Sequence, residues 1–65
     1  MTAEIAIWRA AKLLVDKHGA DAPVRAAMRV DELQAQGDVE GGRTWKRIMA
    51  AAKELLRTMP TGTVH

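Results

Sequence analysis

The stretch from Gly41 to Met59, GGRTWKRIMAAAKELLRTM, limits what this chain can fold into more than any other. On a helical wheel Gly41, Trp45, Ile48, Met49, Ala52, Leu55, Leu56 and Met59 fall on one broad stripe. That is the i, i+3, i+4, i+7 recurrence of a helix buried along one side. Arg43, Lys46, Arg47, Lys53 and Arg57 occupy the other side, answered there only by Glu40 and Glu54. A helix of this kind needs the rest of the chain to cover its apolar face, and it presents a mostly positive face to water.

Two further segments are patterned to provide the cover. Thr2 reads as an N-cap with Glu4 in the first turn, and Ile7, Trp8, Ala11, Leu14 and Val15 form an apolar stripe that continues to His18. Gly19 then supplies the left-handed position that ends a helix, so a first helix is expected over about 3–18. Asp21 followed by Pro23 is a helix-start signal, because a carboxylate caps free amides and Pro lacks only an N–H that the first turn leaves unused. A second helix is expected over about 22–36, closed by Gly37, with Pro23, Ala26, Ala27, Val30 and Leu33 turned inward. Val24, Met28 and Ala35 make a weaker stripe on another side of it. Asp38 is the cap of the third helix, over about 39–59, and the short Gly37-Asp38 connection makes the second and third helices neighbours.

Glycine in a helix costs about 1 kcal/mol relative to Ala, so Gly41 and Gly42 in the first turns call for a reason. The reading for Gly41 is close approach of another backbone on the inner face. Anion binding at this helix start is disfavoured by the carboxylates of Asp38 and Glu40. Pro60 cannot extend the helix, and residues 60–65 read as a flexible polar tail.

These signals give an all-α class and, as architecture, a compact three-helix bundle with short connections over residues 1–59. Trp8 and Trp45 are expected at opposite ends of a Leu, Ile and Ala interior. Hydrophobic residues are 48% of the chain, much of it Ala, which favours helices that approach closely over a sheet. At 65 residues one core only just offsets chain entropy unless disulfides, a metal or a partner chain help. There is no Cys, and His18 and His65 stand far apart with no third ligand patterned around them, so no metal is expected. Self-association is the aid left open. No apolar run is long enough for a bilayer and no signal-peptide pattern opens the chain, so the expected location is the cytoplasm, which the lack of Cys fits.

Catalytic chemistry finds little footing. The chain has neither Ser nor Cys, and a nucleophile held by a base is not patterned anywhere. His18 reads as a helix-terminal histidine packed against the next turn. Asp31 and Glu32 are adjacent on a helix and diverge rather than pair. The expectation is a non-enzymatic protein with no catalytic residue, no cofactor and no small-molecule substrate.

Two binding surfaces compete. Ile5 and Leu13 lie off the first helix's stripe among Arg9, Lys12 and Asp16, and Val24 and Met28 lie off the second's. Scattered apolar residues at a surface are ordinary. As a set, these four are the candidate interface for another protein or a second copy of the chain. The alternative is a nucleic-acid or acidic-partner contact through Arg43, Lys46, Arg47, Lys53 and Arg57, enough charge to neutralise several phosphates. Against it, the exposed side of that helix has no Asn, Gln or Ser to read base edges, and the same helix is needed for the core. A basic amphipathic helix can also lie on a membrane surface, but here the apolar side is needed inside.

The spacing of Gly19, Leu33, Gly37-Asp38 and Trp45-Lys46-x-Ile48 resembles short bacterial helical proteins of unknown function. They share an Ala-rich first helix ending near His-Gly, a second ending in Gly-Asp, and a third carrying Trp. The likeness spans about residues 5–57, with Arg29 and Trp45 at matched positions, whereas Gly41-Gly42 and the basic density of the third helix are particular to this chain. It implies a compact helical fold and a small accessory role in a bacterium, and it carries no activity over.

Overall fold

The computed structural model describes the backbone of residues 2–58 and the side chains of residues 4–58. The chain is all-α: α1 spans Thr2–His18, a 3-10 turn Gly19–Asp21, α2 Ala22–Ala35 and α3 Val39–Thr58. The inner boundaries, at His18, Ala22, Ala35 and Val39, lie within one residue of the expected ones. Met59 and the tail expected over residues 60–65 lie outside the described residues, as does the capping side chain expected of Thr2, which is itself the first helical residue.

Local chemistry accounts for the ends. Gly19 and Gly37 have φ of 59° and 78°, the left-handed region open to a residue without Cβ. After α2 the Asp38 amide donates to the Leu33 carbonyl at 2.8 Å and the Gly37 amide to Gln34 at 3.0 Å. These are the two bonds of a Schellman ending. Asp38 then starts α3, its Oδ1 accepting from the Gly41 amide at 2.9 Å. At the far end the Thr58 hydroxyl donates to the carbonyls of Glu54 and Leu55, which satisfies acceptors of the last turn.

Two local expectations are corrected. Asp21 makes no side-chain cap bond, and the Ala22 amide instead donates to the Gly19 carbonyl inside the 3-10 turn. Gly41 is not where another backbone comes close. A Cβ there would run into the Asp38 carboxylate, at 2.5 Å from Oδ2, so the glycine leaves room for the cap. Gly42 is the buried one, and a Cβ on it would meet only the Gln34 side chain, at 3.8 Å.

The core sits along α3, which packs against both α1 and α2, while α1 and α2 touch each other little. One cluster joins Ala11, Val15 and Ala22 to Ile48, Ala51 and Ala52. Ala26, Val30 and Leu33 are the other buried residues of α2. The all-α class is therefore observed, but compact three-way packing is not: α1 and α2 are each packed on α3 rather than on each other. The molecule is flattened, 40 × 26 × 15 Å.

A second consequence concerns the tryptophans. Trp45 is half-buried against the core cluster, but Trp8, expected at the other end of the interior, is 43% exposed. Among the described residues five of the nine buried hydrophobics are Ala, and no large side chain is fully buried. Ile7, Leu14, Trp45, Leu55 and Leu56 pack against the core with part of their surface still in water.

Candidate interaction surface

The four apolar residues singled out from the sequence all face solvent: Ile5 is 58% exposed, Leu13 69%, Val24 57% and Met28 51%. Helix geometry explains why. On α1 the buried row is Ala11 and Val15, with Leu13 opposite it and Ile5 on its flank. On α2 the buried row is Ala22, Ala26, Val30 and Leu33, and Val24 and Met28, one turn apart, lie opposite it.

The structure does not gather the four into one site. Met28 lines a groove of about 260 Å³ with Leu14 of α1 and Trp45 of α3, rimmed by Arg25, Arg29 and Glu32. Ile5, Leu13 and Val24 do not line it. A larger open groove of about 520 Å³ runs between α1 and α3, with Ile7, Trp8, Ala50 and Ala51 inside and Glu4, Arg47 and Glu54 at its edge. Sequence reasoning missed Trp8 as a surface residue because its spacing matches the core stripe. The exposed Val39 was missed as well, since it sits beside the cap where the wheel assigns no face.

The five cations of α3 are all exposed. Arg57 donates to Glu54 at 3.2 Å. Arg43, Lys46, Arg47 and Lys53 have no ion-pair partner among the described residues. Arg43 and Lys46 share a small groove with Gln34, Gly37, Val39 and Gly42, whereas Arg47 edges the large one. The remaining ion pairs, Lys12 with Asp16 at 3.4 Å and Arg29 with Glu32 at 2.9 Å, are exposed and within one helix each, so they stabilise little.

His18 is half-buried at the end of α1. Among the described residues no three of His, Asp and Glu converge to hold a metal ion, and no helix is long and apolar enough to cross a membrane. No family model, curated protein or solved structure matches the chain.

Proposed function

We propose that this chain is a non-enzymatic helical interaction module that works by associating with a protein partner, in the first place with a second copy of itself. One observation carries the reading. Four large apolar side chains, Ile5, Leu13, Val24 and Met28, are more than half exposed, while among the described residues the core fully buries no large side chain. Placing such groups in water forgoes about 1.5–3 kcal/mol each relative to burial, in a chain of 65 residues that has little core to spare. On this reading the three helices are an open bundle that a partner closes. The same reading places the protein in the cytoplasm, which the lack of Cys supports. Sedimentation across a concentration series tests it: a growing dimer fraction is expected, and a strict monomer up to about a millimolar, the range of the weakest specific contacts, ends the self-association reading.

The second reading is a nucleic-acid contact through Arg43, Lys46, Arg47, Lys53 and Arg57. What favours it is that four of these charges have no partner among the described residues. Titration with duplex and single-stranded DNA at two salt concentrations decides it. Binding that falls steeply with salt is the expected sign, and none at low salt removes the reading.

A further inference from the structure

The groove that brings Leu14, Met28 and Trp45 together has a rim ordered in a way that selects its occupant. Arg25 and Glu32 stand seven residues apart on α2, two helical turns, and so lie in nearly the same row along the groove. Both are exposed. Arg25 has no ion-pair partner among the described residues, and Glu32 is held by Arg29 at 2.9 Å. A row with a cation at one end and an anion at the other is complementary to itself when reversed.

We propose that this groove is the two-fold interface of a homodimer in which α2 lies antiparallel against α2 of a second copy. The proposal rests on the self-association reading above and adds the surface and the pairing. With the axis passing between Met28 and Arg29, Arg25 of each chain faces Glu32 of the other, and the two Met28 side chains meet at the centre. Val24 and Ala35, both exposed, extend the apolar seam toward either end of α2. Arg29, beside the axis, is neutralised by Glu32 of its own chain. Contacts of this kind are isologous: each favourable pair occurs twice. A uniformly acidic partner meets Glu32 and a uniformly basic one meets Arg25 and Arg29, whereas a second copy offers Glu32 to Arg25. The half-covered Trp45 and Leu14 lie inside the region the second copy covers.

The test is a charge swap read by sedimentation equilibrium on the full chain, with helicity followed by circular dichroism so that only folded variants are compared. Arg25→Glu and Glu32→Arg each bring like charges together across the axis and are expected to weaken the dimer at least about tenfold. The double variant R25E/E32R restores the pairing with its sense reversed and is expected to return to within about threefold of the parent. A parent that dimerises while the single variants do so equally well overturns the interface and leaves self-association standing. So does a double variant as weak as the singles. A parent that stays monomeric overturns both. Trp45 gives a second readout in a Trp8→Phe chain. Its emission is expected to shift to the blue as the dimer forms, and a doubling of mass with unchanged emission sinks the proposal.

Discussion

Asp38 and the two glycines that follow Glu40 show how much one position decides in so small a chain. The Asp38 carboxylate accepts from the Gly41 amide at the start of α3, and its loss in Asp38→Ala is expected to cost about 1 kcal/mol. Urea unfolding followed by helicity measures it. Gly42 behaves in the opposite sense. Its backbone is helical, and an added Cβ meets the Gln34 side chain at ordinary contact distance. Gly42→Ala is therefore expected to stabilise by about 1 kcal/mol, the helix-propensity difference, visible as a higher urea midpoint with an unchanged slope. The same change at Gly41 displaces the Asp38 carboxylate, so its propensity gain is offset by the weakened cap. Sequence spacing could rank neither glycine, because both fall early in the helix and their difference lies in what occupies the space beside each Cα.

At the scale of elements, alanine sets how closely the helices pack. Ala11, Ala22 and Ala52 have no exposed surface and belong to one cluster with Val15, Ile48 and Ala51. Inserting a larger side chain where α1 and α3 meet has nowhere to go except between the helices. Ala52→Leu is expected to destabilise by about 1–3 kcal/mol, measured by thermal or urea unfolding. The element boundaries were legible because they rest on local chemistry: Gly19 and Gly37 at positive φ, Asp38 at a cap, and Pro23 in a first turn. The relative disposition of α1 and α2 was not, since a connection of three residues can be a loop or a continuation. Here Gly19–Asp21 is a 3-10 turn that passes α1 almost directly into α2.

For the whole molecule, the flattened form and the small-residue core leave no large side chain fully buried among the described residues. If a second copy covers the exposed apolar side chains, folding is linked to association by mass action. The thermal midpoint is then expected to rise with protein concentration, while a chain carrying R25E keeps a midpoint that varies much less. Calorimetry at several concentrations checks this, and a midpoint independent of concentration in the parent is the adverse result. The ion pairs within single helices are exposed and contribute little, so moderate salt is expected to act on the midpoint chiefly by screening the Arg25–Glu32 pairs across the axis, lowering it where the dimer forms.

Periodicity gave the class of the fold, the inner face of α2 and part of that of α3, where Gly42 and Ala51 are buried outside the expected stripe, because the burial of a helix face depends on residues three and four apart on the same segment. It also singled out Ile5, Leu13, Val24 and Met28 as residues the helices leave over. It misplaced Trp8, which shares the face of Ala11 and Val15 on α1 but stands in the open groove between α1 and α3. Whether a half-apolar helix is covered once or twice depends on the crossing of helices distant in the chain, which side-chain spacing within one segment does not encode. The meeting of Leu14, Met28 and Trp45, one residue from each helix, is of that kind: three local patterns are joined in one groove only by how α3 crosses the other two.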